Sequence, residues 1–435
     1  MTTAAWPSIS EHSYLRLFVV FILYIAQGLP YGLFFFAIPG WLAASEVSAL
    51  AVGGFISAAS LPWTLKFMHG FFMDRYAYLP MGRRRAWLIG AQFCMVFGLL
   101  ICAVMNPDVS QIALLSAFGF TVMLATTLQD VAVDGMAVDL LKDEERAKAN
   151  GLMFGGQSVG IAAGGAVGGY LIAAYGLAFA LVGVGVFLLL VLILVAMLRE
   201  RPGEKLLPWS PGETSAINLE RHEGAWLPLL RRTFRVILRR RSLILMIGVI
   251  LINASWGFFL GLGPLVATSA AGWTDAMYSS TSGAANFVSG ILAILVFGLL
   301  VYRVGTRWGM VLATIILSAM CLFMALNEPL WADSRIIKLF IYVAICMYVL
   351  ILVVWAVTAM RMCSPEVAAT QFALYMAVAN LGISLGAALL GPIESLGGYA
   401  AVFAAIAVGL LLGGVIFYLF AESGNGPAEL QPVVD

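Results

Sequence analysis

Two aspartates stand inside an apolar stretch that reads Thr127-Leu128-Gln129-Asp130-Val131-Ala132-Val133-Asp134-Gly135. A carboxylate at the centre of a membrane span costs about 2.5–3.5 kcal/mol, so its presence marks a function by default. Asp130 and Asp134 are four residues apart and share one face of a helix. At that spacing, in a low-dielectric setting, two carboxylates tend to share a proton, which is the chemistry of proton coupling. The alternative is a static ion pair with Lys66 or Arg75. Lys66 lies at a similar depth, in Trp63-Thr64-Leu65-Lys66-Phe67, and either meets an anionic group of a solute or neutralises Asp134. His69, one turn further, reads as packing.

A second constellation follows Lys66. Gly70-Phe71-Phe72-Met73-Asp74-Arg75 and Gly82-Arg83-Arg84-Arg85 join the second and third apolar runs. Topogenic charge alone would need neither the aspartate nor the glycines. The turn resembles the one between helices two and three of major facilitator carriers. That resemblance implies that Asp74, Arg75, Arg83 and Arg84 hold a cytoplasmic gate. Asp139, near the end of the fourth run, is expected to pair with Arg83 or Arg84. Other polar groups in the spans are few: Gln27, Gln157, Asn253, Asn286, Gln371 and Asn380, with Tyr31 near Gln27 and Trp256 near Asn253. Each is either interhelical glue or a contact to an amphipathic solute held between sparse donors and aromatic walls. Gly156, Gly160, Gly164 and Gly168 form a stripe read as close helix packing, repeated by Gly382 and Gly386.

These residues need elements that lie in lipid. The 435 residues are 62% hydrophobic and 11% charged, with mean hydropathy +0.97; soluble domains carry about 25% charge. A net charge of +1 argues against a nucleic-acid binder. Twelve apolar runs are expected at 14–43, 48–73, 86–105, 110–141, 147–174, 176–198, 243–270, 277–302, 308–327, 335–362, 367–392 and 398–421. The first is too long for a signal peptide and is expected to be retained. With both termini cytoplasmic, 21 of the 24 lysines and arginines fall inside, and only Arg335 and Lys338 fall outside. The expected plan is an all-α membrane protein of two six-helix bundles, 1–198 and 243–421. A cytoplasmic linker, 199–242, joins them, and a polar tail, 422–435, follows. The stretch Trp226 to Arg241 reads either as an interfacial amphipathic helix or as a solvated linker.

The halves repeat. Ser364-Pro365-Glu366 through Asn380 to Gly397-Gly398, shifted back by about 222 residues, lies on Asp143-Glu144-Glu145, Ser158 and Tyr175-Gly176. Gly305 and Arg307 likewise echo the basic turn before Trp87. Solute sites of carriers built this way lie between repeats near the midplane.

Gln27-Gly28-Leu29-Pro30, Met73-Asp74-Arg75-Tyr76, Gln129-Asp130 with Asp134 and Asp139, and Ala369-Thr370-Gln371-Phe372-Ala373-Leu374 resemble the peptide/acetyl-coenzyme A/drug transporter branch of the major facilitators, whose bacterial members include AmpG-type muropeptide permeases. The resemblance implies a monomeric, multi-pass carrier of the bacterial inner membrane. It would import an amphipathic solute such as a muropeptide with protons, by alternating access. Siderophore and drug-like or acyl-CoA-type solutes are the alternatives. No His-rich cluster, metal-ligand spacing or phosphate loop stands in the chain, so no enzyme, cofactor or metal is expected, nor an ATP-driven pump. A non-transporting sensor or scaffold is the remaining class, and it would gain nothing from the intramembrane aspartates.

Overall fold

The computed structural model describes residues 7–45, 47, 49–222, 226–273 and 275–420. The tail expected after Glu422 lies outside them. Apolar runs of this length leave backbone N–H and C=O groups no partner but one another, and the chain answers with helices. In order these are α1 (13–44), α2 (49–75), α3 (Arg85–Met105), α4 (Ile112–Leu140), α5 (Asp143–Tyr175) and α6 (Leu177–Ala196). Two short helices follow, α7 (Ala216–Arg221) and α8 (Trp226–Ile237). Then come α9 (Arg240–Ser269), α10 (275–304), α11 (306–326), α12 (Ser334–Met362), α13 (368–396) and α14 (399–420).

Among the described residues, nine continuous helical stretches are long and apolar enough to cross a membrane. Two of them far exceed the roughly 20 residues that one crossing needs: 280–326 has 47 residues and 365–420 has 56. The first is broken at Gly305 (φ 79°, ψ 164°) and the second at Gly397 and Gly398. α2 is broken at Leu65 (φ −90°, ψ 0°), three residues after Pro62.

Contacts gather the chain into two compact units. One holds Met1–Leu141, Gly155–Val236 and Cys363–Leu374; the other holds Lys142–Phe154, Ile237–Met362 and Tyr375–Asp435. The sequence repeat is visible inside each. In the first unit, a Cβ on Gly160 of α5 would lie 2.5 Å from the Ile25 carbonyl oxygen of α1. In the second, a Cβ on Gly382 of α13 would lie 2.7 Å from the Ile250 carbonyl oxygen of α9. The stripe is therefore a helix crossing, as expected. The turns repeat too: Gly82 has φ 98° where Gly305 has φ 79°, and Gly176 has φ 89° where Gly398 has φ 64°.

The first part of the linker is built onto the α2–α3 turn. Ile9 N–H donates to the Arg199 carbonyl, and Arg199 N–H to that of Pro7. This strand-like pairing sets Glu200 beneath α3. Its carboxylate accepts the N–H groups of Arg83, Arg84 and Arg85, each at 2.9 Å. A helix start leaves such donors without partners, and an anion there is favoured. Gly82 makes the approach possible, since a Cβ on it would lie 2.5 Å from the Glu200 carboxyl carbon. The Arg85 guanidinium binds the carbonyls of Val195, Ala196, Lys205 and Leu206. Residues Trp226–Ile237 of the linker form α8. Its Leu227 and Phe234 are exposed, and Thr233 and Val236 are buried.

Glu204 closes the linker. It is fully buried and accepts hydrogen bonds from Arg201 N–H (2.9 Å), Ser215 Oγ (2.9 Å) and Asn218 Nδ2 (2.7 Å). Burial first, and then the neighbouring Glu200 charge, push its carboxyl up from 4.5 to about 7. A folded value above the unfolded one means that the folded linker binds the proton more tightly. Its stability is therefore greatest at low pH and falls as pH rises from 4.5 to about 7. Limited proteolysis of residues 201–222 should thus be faster at pH about 8 than at pH about 5.5, and Glu204→Gln should remove most of that difference.

Candidate functional site

The break at Leu65 starts a new helical segment at Lys66. Lys66 projects into the packing of α1, α2 and α4, where its Nζ donates to Asp130 Oδ2 and lies 3.8 Å from Asp134 Oδ2. The three side chains are nearly sealed from solvent, with Lys66 7%, Asp130 3% and Asp134 2% exposed. α1 supplies the remaining partners. Gln27 Nε2 donates to Asp130 Oδ1 at 2.6 Å, and the Tyr24 hydroxyl donates to Asp134 Oδ1 at 2.5 Å. Behind them Gln129 donates to the Leu23 carbonyl at 2.8 Å and accepts from Gln92, which fixes α1, α3 and α4 to one another. The four-residue spacing does put both aspartates on one face, and Lys66 meets that face. One ammonium and two carboxylates leave one negative charge unbalanced. Gln27 Oε1 is buried with no hydrogen-bond partner.

An aromatic wall adjoins the charge. Tyr31 packs edge-on against Trp63 with centroids 5.6 Å apart, and Lys66 Nζ lies 5.8 Å from the Trp63 ring. Tyr31 was expected from its place near Gln27. Trp63 was not singled out as a site residue. The signal that could have found it is its place three residues before Lys66, about one helical turn away.

The second cluster lies at the α2–α3 turn. Asp74 is wholly buried. Its Oδ1 accepts from Arg84 Nη2 at 2.6 Å, and its Oδ2 accepts from the Thr370 N–H (2.9 Å) and Oγ1 (2.7 Å). Asp139 meets both expected arginines: Arg84 Nε at 3.1 Å and Arg83 Nη1 at 3.4 Å. Arg83 also donates to the carbonyls of Pro365 (2.6 Å) and Glu366 (2.9 Å). The cluster thus clips the segment 363–374 to the turn. Gly70 lets that segment approach, since a Cβ there would lie 2.7 Å from Thr370 Cα. Burial works against the charge on Arg84, but the Asp74 and Asp139 carboxylates outweigh it and hold the guanidinium above its ordinary value. Arg75 is outside the cluster and stacks on Tyr76, its guanidinium carbon 4.9 Å from the ring.

The other residues read as solute contacts are dispersed. Gln371 accepts the Ser364 N–H at 2.7 Å and so belongs with the clipped segment. In the second unit Asn253 accepts from the Tyr348 hydroxyl at 2.9 Å, and Tyr348 stacks on Trp256 with centroids 3.9 Å apart. Asn286 is exposed and donates to the Ser282 carbonyl of its own helix. Asn380 is exposed and its carbonyl accepts from Ser384. Gln157 is half-buried, with its carbonyl against Gly28 at the α1–α5 crossing. Sequence reasoning missed Tyr24, Glu200 and Thr370. It also missed the two-pronged pair in which Arg361 Nε and Nη2 donate to Asp143 at 2.8 and 2.9 Å. The repeat carried a signal for that pair, because Arg361 stands about 222 residues after Asp139.

A sequence profile described as Major Facilitator Superfamily matches residues 20–386. The chain is 31% identical over 176 residues to an uncharacterized membrane protein of Saccharomyces cerevisiae, YBR220C, covering 35% of this chain and 31% of that protein. It is 28% identical over 139 residues to the anhydromuropeptide permease of Escherichia coli K12, covering 31% of this chain and 28% of the permease. These matches span about a third or less of the relatives' own lengths. The crystal structure of the human organic anion transporter MFSD10 superposes with a TM-score of 0.67 at 15% identity, covering 92% of this chain and 98% of that one.

Asp74→Asn should lower stability by about 3–5 kcal/mol, because it leaves buried arginines uncompensated and turns an amide N–H toward another donor. Thermal unfolding in detergent would measure this. Thr370→Ala, which keeps the backbone N–H bond, should cost less, about 1 kcal/mol.

Proposed function

Because this chain belongs to the Major Facilitator Superfamily, a family of transporters and not of enzymes, we propose that it is a proton-coupled secondary transporter importing an amphipathic solute, of which a muropeptide is the first candidate. The observation that carries the reading is the unbalanced centre of Lys66, Asp130 and Asp134 inside apolar helices. A dry site tolerates one surplus negative charge poorly, and a proton is the smallest cation that removes it. Asp134, hydrogen-bonded by Tyr24 and 3.8 Å from Lys66, is the proton's resting place. An anionic group of the solute would draw Lys66 from Asp130. Asp130 would then need a proton of its own, and Gln27 Oε1 stands beside it as an unused acceptor. Solute and proton are thereby bound through the same lysine. Tyr31 and Trp63 supply apolar faces next to that charge.

The architecture that serves this has twelve crossings in two six-helix halves. The nine stretches reach that number when 280–326 and 365–420 each cross twice, at their glycine breaks, and 49–75 crosses once. The lysine and arginine count supports cytoplasmic termini in a bacterial inner membrane. The Asp74, Arg83, Arg84 and Asp139 cluster then serves as the cytoplasmic gate. The likeness to the anhydromuropeptide permease supports the choice of first solute.

The test is uptake into sealed vesicles under an imposed inward proton gradient, with labelled anhydromuropeptide and a small siderophore panel. Wild type should accumulate a solute in a gradient-dependent way. Asp130→Asn and Asp134→Asn should each abolish accumulation, and Tyr24→Phe should reduce it. Accumulation unchanged in both aspartate variants would leave them as static ion-pair partners and end the coupling proposal. Accumulation of a siderophore alone would keep the coupling and replace the solute.

A further inference from the structure

Away from the charged centre, a groove of about 410 Å³ runs along α3. Ala86, Gly90 and Cys94 follow one another at four-residue spacing, so they form one stripe along the helix. Their small side chains make the floor, which descends about 12 Å from the turn at ~1.5 Å per residue. A Cβ built on Gly90 meets no atom within 4 Å, so the space above it is open. Tyr76, Tyr78 and Trp87 wall the end nearest the turn. Tyr76 and Tyr78 are themselves largely exposed. Tyrosine and tryptophan at this position belong to the level of the lipid headgroups.

The charge at the mouth is of one sign. Arg83 and Arg84 are neutralised by Asp74 and Asp139. Arg75 is not: among the described residues it makes no ion pair or hydrogen bond, and its buried Nε has no partner. Its guanidinium carbon lies 4.9 Å from the ring of Tyr76, which lines the groove. A mostly apolar furrow thus has beside its aromatic end a cation with spare donors. Arginine donors of this kind bind phosphate oxygens strongly.

We propose that this groove is a binding site for an anionic glycerophospholipid of the cytoplasmic leaflet. Its phosphate sits on Arg75 and the tyrosine hydroxyls, and one acyl chain lies over Ala86, Gly90 and Cys94. The leaflet rests on the inside orientation proposed above; the lipid chemistry does not. The bound phosphate supplies Arg75 with the anion that Asp74 and Asp139 supply to its neighbours.

The protein would be placed in nanodiscs with phosphatidylglycerol or phosphatidylcholine carrying the same photoactivatable acyl chain, irradiated, and mapped by peptide mass spectrometry. In wild type, phosphatidylglycerol should label the 86–94 segment several-fold more than phosphatidylcholine. Arg75→Gln should bring the two lipids to equal labelling. A Cβ at position 90 meets no atom within 4 Å, so Gly90→Leu should melt as wild type does and, by filling the groove, lose labelling by both lipids. Equal labelling of wild type by the two lipids would overturn the headgroup site. Labelling of the segment undiminished in Gly90→Leu would overturn the groove.

Discussion

The contact of Lys66 with Asp130 and Asp134 is what the rest of the first unit is arranged around. A buried ammonium or carboxylate is tolerable only when paired and hydrogen-bonded. That requirement brings α1, α2 and α4 to one point. α2 must break at Leu65 to present the lysine, and α1 must turn Tyr24 and Gln27 inward. α4 must carry both aspartates on one face. The helices could pack through apolar contact alone, but only one register satisfies the charges.

The same requirement recurs at the α2–α3 turn, with a different resolution. There the buried charges balance: Arg83 and Arg84 against Asp74 and Asp139, with the part-exposed Arg221 4.0 Å from Asp139, and the helix-start N–H groups against Glu200. A balanced cluster suits a clip that holds or releases as a whole. The inner centre is left one charge short of balance, which suits a site that exchanges a small cation. The two clusters lie on the same two helices, α2 and α4, since Lys66 and Asp74 share one and Asp130 and Asp139 share the other.

Much of this was legible in the sequence. Asp130, Asp134 and Asp139 announce themselves because charge in an apolar run is costly, and the Asp139 pairing followed from depth. The glycine stripe announced close packing of α5, and the repeat located its counterpart at Gly382; that α1 is the partner shows only in the structure. Tyr24 was hidden because a tyrosine in a span is ordinarily packing, and only the α1 rotation reveals its partner. Glu200 was hidden because it stands in a charged linker, where a solvated carboxylate is the ordinary expectation. Gln371 looked like a solute contact because a polar residue in an apolar run has no visible partner; its partner is a backbone N–H at Ser364. Such partners are fixed by tertiary approach, which residue type and spacing do not encode.

Glu200 has a consequence for how the protein is made. The three N–H groups that it binds lie 115 to 117 residues earlier in the chain. Residues 7–10, which pair with its strand, lie earlier still. A ribosome delivers α1 to α6 before it delivers this carboxylate. Until then the start of α3 and the amino-terminal segment wait without their partners. The amino-terminal segment and the start of α3 thus receive their partners together, from Arg199 and Glu200, at the moment when synthesis passes from α6 into the linker and before α9 has been made.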